Sequence, residues 1–176
     1  MPLTLHAAFV SSALQMLGTT RHLVDKGQEW CASNSVEECD LIGCRLIDDM
    51  LAFDYQVKSV AVHTAGAIAG AKAGEFSPDL TEPPASFDGL RAKLDEASAA
   101  LEAVTVDELE ALMGQKVDFV FKGKVLLSFT AEDFLLSFSQ PNFYFHASTA
   151  YDILRMKGVS VGKVDYLGRM RGSPPA

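Results

Sequence analysis

The chain has 176 residues, 48% of them apolar, and a formal net charge of -8. This length and apolar content suit one domain spanning residues 1–176 with a sizeable core, and the negative charge argues against nucleic acid or an anionic membrane as partner, since no local basic patch offsets the repulsion. Basic residues are scattered, densest at Arg169 and Arg171, and Cys31, Cys39 and Cys44 lack a C-x-x-C spacing, which fits a reducing, cytoplasmic setting.

Phe9, Ala13, Met16, Leu17, Leu23 and Val24 recur at helical spacing, so a first helix is expected from about Leu3 to about Cys31, with Gly18 or Gly27 as the place for a bend. No basic segment precedes it as in a signal peptide, and no apolar run is long enough to span a membrane. Ser35 and Glu38 form a capping-box pattern for a short helix. A second long helix is expected from near Asp48 to about Ala73 through Met50, Phe53, Val57, Val60 and Ala67, with Asp48 and Asp49 capping its positive end. Its C-terminal part, rich in Ala and Gly, allows another helix to approach closely.

Residues 74–86, with Pro78, Pro83 and Pro84, read as the longest loop. Helical spacing returns from Phe87 to Val104, and Thr105 with Glu108 caps a further short helix. The period then changes to two. Val117, Phe119 and Phe121, the turn Lys122-Gly123-Lys124 and a second apolar strand from Val125 to Phe129 predict a small hairpin.

Two readings of the next helix stand open: a start at Pro141 capped by Gln140 or Ser139, or a single longer helix from Thr130 kinked at Pro141. Gly158 suits a left-handed cap at its end. Val159, Val161, Val164, Tyr166 and Leu167 read as an extended strap over the bundle, followed by a loose tail from 169 to 176. The expected fold is all-α, an up-down four-helix bundle with a small β-hairpin before the last helix.

The candidate functional residues are histidines within helices. His63 shares a face with Val60, Gln56, Phe53 and Asp49, while His146 shares one with Asn142 and Thr149. Gln56, His63, Asn142, His146, Thr149 and Tyr151 are therefore the expected lining of a small-molecule site between helices two and four. The alternative for each histidine is a core residue hydrogen-bonded to a neighbour. His6 and His22 read as partly exposed, and Asp95, Glu96, Glu102, Asp107, Glu108 and Glu110 as a solvated face. Nucleophile-elbow, phosphate-loop and dinucleotide motifs do not occur.

The run N-F-Y-F-H-x-x-T-A-Y-x-I-L-R-x-x-G-V-x-x-G-K-x-D-Y-L-G, from Asn142 to Gly168, resembles the C-terminal signature of an uncharacterised family of bacterial and fungal proteins in the DinB/YfiT-like helical-bundle superfamily. That superfamily often holds a divalent transition metal with one histidine from helix two and an H-x-x-x-H pair on helix four. The resemblance places His63 and His146 as metal ligands, but Ala150 stands where the second histidine of the pair would be. Asp49, Asp152, Tyr151 or Gln56 would have to supply the missing donor, and two histidines with a carboxylate form a reasonable transition-metal set. Some superfamily members look like metal-assisted thiol transferases or isomerases. A separate expectation is a non-catalytic homodimer, associating through the long first helix or the Ala/Gly-rich part of the second.

Overall fold

Thr4 accepts the Ala7 amide hydrogen, and α1 (Leu5–Asn34) runs from there for 30 residues. The computed structural model describes residues 2–172. Gly27 serves packing: a Cβ there would lie 3.3–3.4 Å from Leu41, Phe87 and Leu154, so its missing side chain lets three other segments converge on the helix. Ser35, in left-handed conformation at φ 53, closes α1 and cannot also open the next helix. The expected Ser35–Glu38 box is therefore absent, and α2 (Glu38–Ile42) follows Glu37 without a side-chain cap.

The second long helix begins later than its periodicity suggests. Asp48 and Asp49 lie in an exposed turn, where the Met50 amide donates to the Ile47 carbonyl, and neither caps a helix. Instead α3 (Phe53–Ala61) starts after Ala52, passes into a π-helical turn at Val62–Gly66 and continues as α4 (Ala67–Ala73). The residues after Gly74 form β1 (Glu75–Phe76), so the expected loop opens with a strand. A Cβ on Gly70 would lie 3.0 Å from the Phe76 side chain, which shows that the close approach permitted by the small residues is used within the chain.

Lys58 fixes the route of the crossover that follows. This lysine is 2% exposed; its ammonium donates to the carbonyls of Asp79 and Thr81 and to the Thr81 hydroxyl, and pairs with the Asp79 carboxylate at 3.0 Å. The chain is thereby led back along the second helix before α5 (Phe87–Glu102) begins. Arg21 bonds Asp95 and Arg91 bonds Asp25, so α1 and α5 run in opposite directions. Around the bundle, α1 neighbours α5 and the last helix, while α3 closes the ring between those two. Two helices run each way, the second and third in the same direction because of the crossover.

Thr105 and Glu108 make the expected capping box of α6 (Val106–Glu110). The hairpin of β2 (Lys116–Phe121) and β3 (Lys124–Thr130) turns through Lys122 and Gly123, both at positive φ, the backbone that a tight two-residue connection requires. β1 pairs parallel to β2, giving a three-stranded sheet in the order β1-β2-β3.

Of the two readings of the last helix, the longer one holds. Thr130 caps α7 (Ala131–Asp133), which runs through a π-helical turn at Phe134–Ser139 into α8 (Gln140–Met156). Ser139 and Gln140 are helical and cap nothing. Pro141 lacks an N–H and crowds the preceding turn, and the wider π turn directly before it provides the room. Gly158 takes the expected positive φ of 89. Val159 and Val161 are buried, but the strap then coils into α9 (Lys163–Leu167) because the Gly162 amide donates to the Asp165 carboxylate at 2.7 Å. Of the tail, residues 169–172 are exposed, and 173–176 lie outside the described residues.

The core is continuous from Leu5 to Val161, with Phe9, Phe53, Phe87, Phe134 and Phe143 fully enclosed. Among the described residues, no helix is long and apolar enough to cross a membrane.

Candidate functional site

Both π-helical turns adjoin one locality between the second and last helices. His63 lies inside the first, and the second ends just before the turn that carries Asn142 and His146. A π turn costs helix regularity and is frequent at functional positions. His63 and His146 are brought together with ring centroids 5.7 Å apart and planes 17° from parallel. Phe76 and Phe138 pack on His63 at 5.5 and 5.8 Å, while Phe145 and Tyr55 stand edge-on to His146 at 5.3 and 6.4 Å.

Gln56 sets the state of His146. Its Nε2 donates to the Leu51 carbonyl at 2.8 Å, which turns Oε1 toward His146 Nδ1, 2.7 Å away. The Nδ1 position must therefore carry the proton, and Nε2 of a neutral ring keeps its lone pair. His63 has no such anchor: its Nδ1 is buried without a hydrogen-bond partner. Burial lowers the pKa of His63 to about 3, helped by His146, and burial alone lowers that of His146 to about 4. Both rings are neutral near pH 7.

The remaining expected lining residues lie apart from this trio or are already engaged. Asn142 Nδ2 donates to the Phe138 carbonyl, and the buried Thr149 hydroxyl donates to the Phe145 carbonyl, each one turn back on its own helix. Tyr151 packs edge-on against Tyr166 at 5.8 Å, on the side of α9.

A three-ligand metal centre does not fit these residues. Ala150 is fully buried, Asp152 is exposed, and Asp49 precedes the helix; Gln56 reaches His146 but is committed to its Nδ1. Among the described residues, no group of three His, Cys, Asp or Glu side chains is placed to hold an ion. Two grooves, of about 700 and 650 Å³, lie on other faces of the bundle, and neither is lined by His63 or His146. His63 and His146 are each partly exposed, and exposed Phe145 stands beside the His146 ring.

Over residues 5–167 the sequence matches a family described as a domain of unknown function, DUF1993. The chain belongs to that family. Its fold is DinB-like: a crystal structure of a DinB family member protein from Shewanella denitrificans superposes with a TM-score of 0.81 at 26% identity, covering 97% of this chain and 96% of the other. No curated protein matches the DUF1993 chain.

Two polar features of the DUF1993 domain escape a reading by periodicity. Lys58 looks like any helix-surface lysine, and its partners Asp79 and Thr81 lie across a proline-rich loop. His22 donates from Nε2 to the Asp165 carboxylate at 2.8 Å, a contact across almost the whole chain whose sequence trace is the D of G-K-x-D-Y-L-G.

Proposed function

We propose that this DUF1993 domain is a small-molecule-binding protein whose site is the surface around His63, His146 and Gln56. The observation that carries the proposal is the buried, unpartnered Nδ1 of His63 beside a His146 ring held in one tautomer. A buried polar atom without a partner costs stability, and a ligand that opens the site and bonds to it would recover that cost. Rings with pKa values of about 3 and 4 are poorly matched to proton transfer at neutral pH and well suited to hydrogen bonding as neutral groups. The aromatic walls, Tyr55, Phe138 and Phe145, favour a flat, uncharged ligand that presents an O–H or N–H to His146 Nε2.

The test is histidine-ring NMR during titration with phenol and with indole. Saturable shifts of the His63 and His146 ring signals, lost in His146→Ala and shifted to weaker binding in Gln56→Leu, are the expected result. Ring signals that stay fixed at high probe concentration would rule out this ligand class. Elemental analysis of untagged protein is run alongside: stoichiometric metal lost in both His63→Ala and His146→Ala would replace the proposal with a metal site completed by a donor from outside the trio.

A further inference from the structure

The groove of about 700 Å³ lies between α1 and the segment from Val164 to Arg171, and its chemistry is distinct from that of the histidine pair. Because α1 sits diagonally across the bundle from α3, it is also on another face. Leu14 and Val164 give it apolar sides, and the two exposed arginines Arg169 and Arg171 are among its lining residues. Gly18 leaves its floor bare, since a Cβ there would meet nothing within 4 Å.

The polar groups of the groove divide into those already engaged and those free. Asp165 is engaged on both oxygens, by His22 Nε2 at 2.8 Å and by the Gly162 amide at 2.7 Å. Gln15 Nε2 donates to the Leu167 carbonyl at 2.7 Å, which leaves its Oε1 unused. Thr19, 1% exposed at the base beneath Gly168, has a hydroxyl with no hydrogen-bond partner. Two guanidiniums against one carboxylate leave one positive charge in the groove, on a chain whose net charge is -8.

We infer that this groove binds a small organic carboxylate with an apolar body. The guanidiniums of Arg169 and Arg171 match a carboxylate in charge and donor geometry, and the apolar sides take the body of the ligand. A doubly charged phosphate suits the groove less well, because only one positive charge remains once Asp165 is counted.

The probe is benzoate, followed by amide NMR of the intact chain, with benzamide and inorganic phosphate as controls. Saturable shifts at Gly18, Thr19 and Gly168 in the low millimolar range are expected, with benzamide and phosphate each weaker by about tenfold or more. Gly18→Leu fills the floor while raising helix propensity, so the fold should persist and the benzoate shifts should disappear. The exposed double variant Arg169→Ala/Arg171→Ala should weaken benzoate by about tenfold and leave benzamide unchanged. The inference is overturned if benzoate gives no saturable shift at these amides, if Gly18→Leu binds as the parent does, or if phosphate binds as tightly as benzoate.

Discussion

His63 and His146 lie face to face with ring centroids 5.7 Å apart, and the two rings share one electrostatic fate. Burial penalises the protonated form of each ring, and for His63 the neighbouring His146 adds to that penalty, which is why both pKa values fall well below the ordinary 6.5. The unfolded chain therefore takes up protons before the folded one does. Stability from this source is fully present above about pH 6.5 and declines as the pH drops toward 4, by about 1.4 kcal/mol per histidine per pH unit at most. Urea unfolding at pH 7, 6 and 5 should show that decline, and His63→Phe should roughly halve its slope. A flat profile between pH 7 and 5 would mean that the rings are better hydrated than their packing implies.

The Gln56→Leu variant tests the anchoring of His146. Removing the amide leaves Nδ1–H and the Leu51 carbonyl without their partner, at a cost of about 1–2 kcal/mol. The more telling signal is the ring itself. Imidazole nitrogen shifts should report a single tautomer, protonated at Nδ1, in the parent and a mixture in the variant. An unchanged tautomer would assign the orientation to something other than Gln56.

Helical spacing puts Gln56 and His63 on one face of the second helix and His146 on a face of the last helix with Asn142 and Thr149, and the packing of those two helices brings the three together. Spacing was not enough to show the π turns. These arise where local crowding, such as that of Pro141, is relieved by tertiary packing, and periodicity carries no mark of it. Asp49 shows the converse failure: it keeps the helical spacing but lies in the turn before Phe53, outside the helix that would present it. Thr149 and Tyr151 stand on the same helix as His146, yet one hydroxyl turns back to its own backbone and the other ring meets Tyr166. The Lys58–Asp79 and His22–Asp165 pairs depend on how loops fold back, which a pattern read along one helix does not contain.

Lys58→Met should loosen the crossover specifically. The substitution keeps the stem buried but deprives two carbonyls, the Thr81 hydroxyl and the Asp79 carboxylate of their shared donor. Asp79 is partly exposed and can hydrate, so a loss of about 2 kcal/mol is expected rather than the larger penalty of a fully buried pair. Burial opposes ionisation of Asp79, but the Thr81 hydroxyl and amide and the Lys58 ammonium together lower its pKa to about 2. In the variant that pKa should rise, so its contribution to stability should fade at a higher pH on acidification. Hydrogen exchange should accelerate in residues 77–86 well beyond any change in α1. Uniform acceleration across the bundle would show that the lysine supports the core as a whole.

Gly168 closes the C-terminal segment under two constraints that one double variant can separate. Its φ of 59 with ψ of -144 belongs to a region few side chains tolerate, and a Cβ added there would collide with the Thr19 hydroxyl. Gly168→Ala should therefore cost about 3 kcal/mol, part from backbone strain and part from the collision. The Thr19 hydroxyl has no partner, so Thr19→Ala alone should be close to neutral. In the Thr19→Ala background the collision is gone while the backbone strain remains, and Gly168→Ala should cost only about 1–2 kcal/mol. Denaturant unfolding of the four proteins gives the coupling energy directly. A value near zero would mean that strain at Gly168 accounts for the whole effect and that α9 can shift to let Thr19 and the new methyl group coexist.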